Sequence, residues 1–360
     1  METATVLCII EHLSTGGEEM LVTELMPSLG RSGFNPVVVT FMPGNLDQKL
    51  IQSGVELIIV HSKSKRQRLV QLIKILRRIK PDIVHTRLFS GGAWGRIAAL
   101  YTRVPILVHT HGGHTFIEKK WKRLPVEQLL FYFTHRTIAV SHGVKNHLEA
   151  FSLIRGGKVQ VIYNGLPLPL FTAIPIKAIN TPVRLICVGR LETVKGQDIA
   201  IRAVKRLPDP IWAELVIAGG GPKFDALQEL ARRENIAHKV RFLGIRKDIP
   251  DLLSSADIFI SPSRSEGLPV AVIEAMAAGR PVIATDIPGH KEALGETGLL
   301  VTPESPEAMA RGLVSMIASK DKSEQMAKMA RARAVNMFDF LTMRDAHVSL
   351  YQKLVKTKRK

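Results

Sequence analysis

The chain of 360 residues is poor in cysteine: Cys8 and Cys187 are its only two. They lie far apart, each inside an apolar run, Val6-Leu7-Cys8-Ile9-Ile10 and Leu185-Ile186-Cys187-Val188. Two such thiols cannot build a disulfide framework and read as buried free cysteines in a reducing compartment. Long hydrophobic runs are missing too. No stretch approaches the roughly 18 consecutive apolar residues of a membrane span, and the N-terminus has no basic region leading into a long apolar segment. The expectation is a cytoplasmic protein that neither spans a membrane nor is secreted. Acidic residues are the third shortage, with 32 Asp and Glu against 50 Lys and Arg, a formal charge of +18. A basic surface attracts nucleic acid, anionic lipid and phosphorylated substrates alike, so charge alone does not choose among them. Residues 1–170 carry 21 of the basic and 11 of the acidic side chains. Neither half is a basic tail, and the excess belongs to folded surfaces.

What the chain has in quantity is apolar material, 46% of its residues, enough for two packed cores. Short β-branched runs near 4–10, 36–41, 55–60, 82–85, 105–110, 137–140 and 159–162 alternate with segments of helical period, the pattern of βαβ units around a parallel sheet. Between Leu166 and Pro182 four prolines fall in 17 residues, which neither helix nor central strand tolerates. The alternation then restarts near 183–188, 213–218, 239–243, 257–261 and 281–284, with a long helical segment from about 305. The reading is an α/β protein of two doubly wound domains with a cleft between them.

In such sheets ligands bind at the carboxyl ends of strands. Gly16 and Gly17 follow the first strand, either to let a ligand approach the backbone or as a plain tight turn; the G-x-G-x-x-G spacing is absent from this loop. Gly189 and Arg190 with Lys195-Gly196 follow the first strand of the second half. Arg190 and Lys195 either converge on a diphosphate, as planar fork and point charge, or are two solvated cations. Glu266-Gly267-Leu268-Pro269-Val270 runs into an apolar helix that places Glu274 in its second turn. There a carboxylate suits a ribose diol, while helix-start N–H groups suit a phosphate; the alternative is a helix merely capped and solubilised by Glu266 and Glu274. His109, His111 and His114 crowd one strand end without the spacing of a metal site, so His111 reads as contacting a polar ligand or as structural. Two basic amphipathic stretches, Lys63 to Lys80 and Phe116 to Arg123 running into Phe133, suit an anionic membrane surface or are ordinary solvated helices.

Taken in order, these loops resemble the GT-B-fold retaining glycosyltransferases of family 4. The resemblance is carried by Gly16-Gly17, Val161-Ile162-Tyr163-Asn164-Gly165, Gly189-Arg190-Leu191 with Lys195-Gly196, Gly219-Gly220-Gly221-Pro222, Phe242-Leu243-Gly244, and Glu266-Gly267-Leu268-Pro269 with Glu274-Ala275-Met276-Ala277-Ala278-Gly279. It spans nearly the whole chain and implies a GT-B fold: two Rossmann-like domains, an acceptor-side one over 1–168 and a nucleotide-sugar-binding one over 169–340. The segment 341–360 would be a final helix packing back on the first domain. It further implies that Arg190 and Lys195 meet the diphosphate, Glu274 the ribose, and Glu266 the donor sugar. Ile245 and Arg246 would meet the base, His111 the transferred sugar, and Gly16, Gly17, Gly189 and Gly220 would line the donor. The text departs from the family at Leu268-Pro269, which changes the amides that face a phosphate. It departs again at Arg87, where the family often has histidine and where an arginine would favour an acidic or phosphorylated acceptor.

No Asp-x-Asp occurs in the chain, so the expectation is a metal-independent transferase without cofactor, in which the basic pair stabilises the departing diphosphate. The resemblance implies retention of configuration. The expected partners are an NDP-sugar, a UDP-sugar first, and a saccharide or lipid-linked acceptor of cell-envelope polysaccharide or lipopolysaccharide, met at the inner face of an anionic membrane, with no nucleic acid. Two alternatives stand beside it: a non-enzymatic basic module for anionic lipid or nucleic acid, and a GT-B-fold epimerase or phosphorylase.

Overall fold

The computed structural model describes residues 3–14, 16–62, 64–87, 89–113, 124–151 and 157–359. They form two compact units, one of residues 1–165 with 340–360 and one of residues 166–339. The boundaries fall at 165/166 and 339/340, where the sequence placed them at 168/169 and 340/341.

Unit 1 holds β1 (Thr5–Ile9), α1 (Gly17–Arg31), β2 (Asn35–Thr40), α2 (Asp47–Gln52), β3 (Glu56–Ile59), α3 (Lys65–Ile79), β4 (Ile83–Arg87), α4 (Phe89–Tyr101), β5 (Ile106–His111), α5 (Leu124–Phe133), β6 (Arg136–Ala139), α6 (His142–Phe151) and β7 (Val159–Val161). Its strands run parallel in the order β3-β2-β1-β4-β5-β6-β7. Register pairs Leu7 with Val37 on one side and with Val84 on the other. Strands of a parallel sheet covered on both faces are apolar along their length, and every side chain of β4 and all but the first of β1 are buried. Leu7, Ile9, Val37, Val84 and Leu107 pack with Leu72, Leu76, Ala98 and Ala99 into one core.

Unit 2 holds α7 (Pro169–Thr172), β8 (Val183–Val188), a 3-10 turn (Thr193–Lys195), α8 (Gln197–Lys205), β9 (Ala213–Ala218), α9 (Phe224–Arg233), β10 (Val240–Phe242), α10 (Ile249–Ser255), β11 (Ile258–Ser261), α11 (Val270–Ala277), β12 (Val282–Thr285), α12 (Pro288–Leu294), β13 (Leu299–Val301), α13 (Pro306–Ala318) and α14 (Lys320–Met337). The parallel order is β10-β9-β8-β11-β12-β13. Leu185, Cys187, Leu215, Ile217, Ile258, Ile260 and Ile283 meet Ala200, Met309 and Leu313 in its core. The last helix of the chain, α15 (Phe340–Arg359), belongs to unit 1.

Beyond residue 265 the structure adds to and corrects what the sequence suggests. The helical text from 305 up to the final helix is two helices rather than one, α13 and α14, broken at Ser319, and the final helix begins at Phe340 rather than at 341. Edge strand β13 was not foreseen, because three residues give no period to read. Pro269 is the extended N-cap of α11, and Glu274 falls in the second turn as expected. Cys8 and Cys187 are free and buried.

Candidate active site

Strand order reverses between β8 and β11 in unit 2, and the loops leaving the carboxyl ends of strands that flank such a switch point enclose a crevice. From β8 come Gly189, Arg190 and the turn that carries Lys195; from β11 come Ser263 and Glu266. Lys195 Nζ donates to Glu266 Oε1 at 2.7 Å, and Ser263 Oγ donates to the same oxygen at 2.7 Å. Burial opposes ionisation of Glu266, but the Lys195 ammonium and the Ser263 hydroxyl outweigh it and hold the carboxyl below its usual range. The site therefore contains a fixed carboxylate and an ammonium, both partly sheltered from solvent.

Glu274 differs. It is buried in α11 among Val272, Ile273, Ala275 and Met276, and burial pushes its carboxyl up to about 8. A carboxyl in an apolar helix, able to donate one hydrogen bond and accept others while neutral, suits a diol. Val272 N and Ile273 N donate to Pro269 O at 3.1 and 3.2 Å, which leaves the amides of Val270 and Ala271 at the helix N-terminus, where an anion is favoured.

The glycine loops close the same edge. A Cβ on Gly219 would lie 1.9 Å from Gly189 O, so those two turns touch backbone to backbone. Leu191 N donates to Gly220 O at 2.9 Å and Gly219 N to Gly244 O at 2.8 Å. A Cβ on Gly220 would stand 2.8 Å from Ile245 Cγ1. The structure thus brings Gly189, Gly220 and Ile245 together. Each of the two arginines is held by a carboxylate two residues on: Arg190 Nη1 lies 3.0 Å from Glu192 Oε1, and Arg246 Nε donates to Asp248 Oδ1 at 2.8 Å. Gly267 and Leu268 lie in the stretch that joins Glu266 to α11, where Leu268 is buried, and Val270 is the first residue of that helix.

Unit 1 has its own switch point, between β1 and β4. Gly16 caps α1 and Gly17 begins it, and a Cβ on Gly16 would stand 2.1 Å from Glu19 Oε2. The chain's own carboxylate therefore covers the backbone expected to admit a ligand. His111 ends β5, half-buried, its ring edge-on to His109 at 6.0 Å. The next residue, Gly112, lies against Glu18: a Cβ there would be 3.1 Å from Glu18 Oε1. His114 lies outside the described residues.

Arg87 does not present itself to an acceptor. It is 2% exposed, its Nη1 donates to Glu18 Oε2 at 2.8 Å, and its Nη2 reaches His347 Nε2 at 3.3 Å. His347 Nδ1 faces Met343 O at 2.9 Å, which leaves Nε2 as the acceptor. Burial, followed by the Arg87 charge, lowers His347 to about 3. His85, two residues before Arg87 on the same face of β4, bonds Tyr351 Oη at 2.6 Å and Thr110 Oγ1 at 2.7 Å. Sequence reasoning missed this cluster, although the i, i+2 spacing of His85 and Arg87 and the i, i+4 spacing of His347 and Tyr351 put each pair on one face.

The first basic stretch forms α3, whose apolar side is spent on the core at Leu72 and Leu76. Lys65, Arg66, Lys74, Arg77 and Arg78 stay exposed, so charge rather than an inserting apolar face is what it shows. The second, Phe116 to Arg123, lies outside the described residues. Among the described residues no His, Cys, Asp and Glu side chains group as metal ligands, and no helix is long and apolar enough to cross a membrane.

The model of "Glycosyltransferase Family 4" matches residues 15–168 and that of "Glycosyl transferases group 1" residues 173–333. The chain is 30% identical over 314 residues to the Escherichia coli UDP-Gal:alpha-D-GlcNAc-diphosphoundecaprenol alpha-1,3-galactosyltransferase, covering 81% of this chain and 80% of that one. Its fold is that of Anabaena HepE, solved with UDP-glucose, at a TM-score of 0.85 and 22% identity over 97% of this chain and 99% of that one. The lipopolysaccharide outer core galactosyltransferase WaaB gives 0.71 at 18% identity over 98% and 100%. With both units matched by glycosyltransferase models and the fold shared along nearly the whole chain, the protein belongs to the GT-B glycosyltransferases of family 4.

Proposed function

We propose that the protein is a retaining, metal-independent transferase that moves a sugar from an NDP-sugar, in the first instance a UDP-sugar, to a saccharide or lipid-linked acceptor of a cell-envelope polysaccharide or lipopolysaccharide. The observation that carries the donor side is the Lys195–Glu266–Ser263 cluster at the switch point, with Glu274 in the helix that follows. In the reaction the bond from the sugar's anomeric carbon to the diphosphate oxygen breaks, a bond to the acceptor oxygen forms, and the acceptor proton leaves with the diphosphate. Lys195 and Arg190 neutralise the charge that develops on the diphosphate, the work a divalent cation does elsewhere. To do so each exchanges a carboxylate partner, Glu266 or Glu192, for phosphate oxygens. Glu274 takes the ribose diol, Ile245 and Arg246 the base, and Glu266 the donor sugar; His111 is the unit 1 residue that the family resemblance assigns to the transferred sugar.

A UDP-sugar is favoured by the galactosyl donor in the name of the E. coli relative and by the ligand of HepE. A lipid-linked acceptor is favoured by the diphosphoundecaprenol in the same name. The formal charge of +18 and the exposed cations of α3 favour work at the inner, anionic face of a membrane, as a cytoplasmic protein.

The test is thermal stabilisation and calorimetry with UDP-, GDP-, ADP- and dTDP-sugars in EDTA, for wild type and Arg190→Ala. Stabilisation by one nucleotide, lost in the variant, is expected. No stabilisation by any of them overturns the donor reading, and stabilisation that EDTA removes overturns metal independence.

A further inference from the structure

Lys195 and Glu266 come from different loops, and their common neighbour is Arg264. All five N–H donors of its guanidinium are used. Nη1 donates to Thr193 O at 2.6 Å and Asp198 Oδ1 at 2.9 Å. Nη2 donates to Asp198 Oδ2 and to Glu304 Oε2, each at 2.9 Å, and Nε to Glu304 Oε1 at 2.6 Å. Its backbone N–H donates to Val194 O at 2.8 Å. Thr193 and Val194 are the two residues before Lys195, and Asp198 lies three residues after it in the first turn of α8. Gly196 adds a further contact. At φ +68° its α-carbon rests on the backbone two residues before Arg264, so that a Cβ would fall 2.0 Å from Pro262 O. The turn is thus fastened to the Glu266 loop on both sides of Lys195.

We propose that Arg264 is a positioning residue of the donor site: it fixes the Lys195 turn against the Glu266 loop, so that ammonium and carboxylate meet the two ends of the donor at one spacing. The inference rests on the donor reading above, and Arg264 itself touches no substrate. Stability alone is a poor account of this network, because Asp198 and Glu304 are 31% and 58% exposed and ion pairs at such sites add little. Two carboxylates gripping one planar fork fix geometry, which a flexible ammonium does not.

The experiment measures affinity for UDP, UDP-glucose, UDP-galactose, GDP-mannose, ADP-glucose and dTDP-glucose by calorimetry on the full chain, as wild type, Arg264→Gln, Arg264→Lys, Lys195→Ala and Arg264→Gln/Lys195→Ala. For the probe that binds, Arg264→Gln is expected to fold and to weaken binding roughly 10- to 100-fold, the worth of one hydrogen bond to a charged group. Arg264→Lys recovers little of it. In the Lys195→Ala background the same substitution adds less than about threefold, because its effect passes through Lys195. Wild-type affinity in Arg264→Gln, or losses that multiply independently in the double variant, overturns the proposal. If Arg264→Gln does not fold, Asp198→Asn at the partly exposed partner carries the same expectations and the same contrary outcomes. Wild type that binds none of the probes overturns the donor reading and the proposal with it. Wild type that binds, beside Arg264→Gln that binds equally, rejects Arg264 alone.

Discussion

Lys195 Nζ stands 2.7 Å from Glu266 Oε1, a pair that bridges the loops after β8 and β11 where the strand order of unit 2 reverses. Unit 1 repeats the arrangement with the signs exchanged between loops: Glu18 follows β1 and Arg87 ends β4, 2.8 Å apart. The two pairs differ in surroundings. The cation is 27% exposed in unit 2 and 2% exposed in unit 1, so the first can change partner and the second cannot.

Removing the cation of the unit 2 pair strands a sheltered carboxylate. Lys195→Met is expected to cost unit 2 about 3 kcal/mol, and Lys195→Met with Glu266→Gln to recover most of that loss. Denaturant unfolding of the single and double variants measures it; equal losses in both would show that the charge of Glu266 is not what the lysine stabilises.

Arg87→Met should destabilise unit 1 by about 3 to 5 kcal/mol, since it leaves Glu18 with no cation in a buried site. Glu18→Gln, which keeps an acceptor for the guanidinium, is expected to cost less. A melting profile in which Arg87→Met behaves as wild type would place the guanidinium in solvent, contrary to the geometry.

Glu274 gives an alkaline effect. Its carboxyl is neutral in the folded protein up to about pH 8 and ionises near 4.3 in the unfolded chain. Stability from this group is complete below the lower value and falls as pH rises toward the higher one. Glu274→Gln should therefore gain on wild type in melting temperature from pH 5 to pH 8 and gain no more above that, while losing donor affinity at every pH. A constant offset between the two proteins across this range would contradict the buried neutral acid.

His347 works in the opposite direction. Its folded value of about 3 lies below the usual 6.5, so its share of stability is present above 6.5 and is lost as pH falls toward 3. His347→Asn should flatten the acid limb of unit 1 stability in that window. An unchanged slope would mean that the ring is not held neutral against Arg87.

The parallel-sheet skeleton was largely legible, because strands buried on both faces leave unbroken apolar runs; residues 183–188 and 213–218 are delimited by pattern alone and match β8 and β9. Strand β13 and the break between α13 and α14 at Ser319 were not, since neither a three-residue edge strand nor a turn without proline or glycine leaves a periodic mark. Lys195 and Glu266 were named individually, but their contact joins residues 71 apart and no local spacing encodes it. Arg264 escaped for the same reason, its partners being spread from Thr193 to Glu304. Arg87 was misread because an arginine at a strand end looks available for ligands. Alternation along β4 puts it beside His85, on a face that α15 meets with His347 and Tyr351.

That last contact has a temporal side. Residues 166–339 are contiguous and hold every strand of their own sheet, whereas the polar centre of unit 1 takes His347 and Tyr351 from a helix made after all of unit 2. On the ribosome, the half that is begun first is thus the half that is finished last, and until α15 emerges Arg87 and His85 wait without two of their partners.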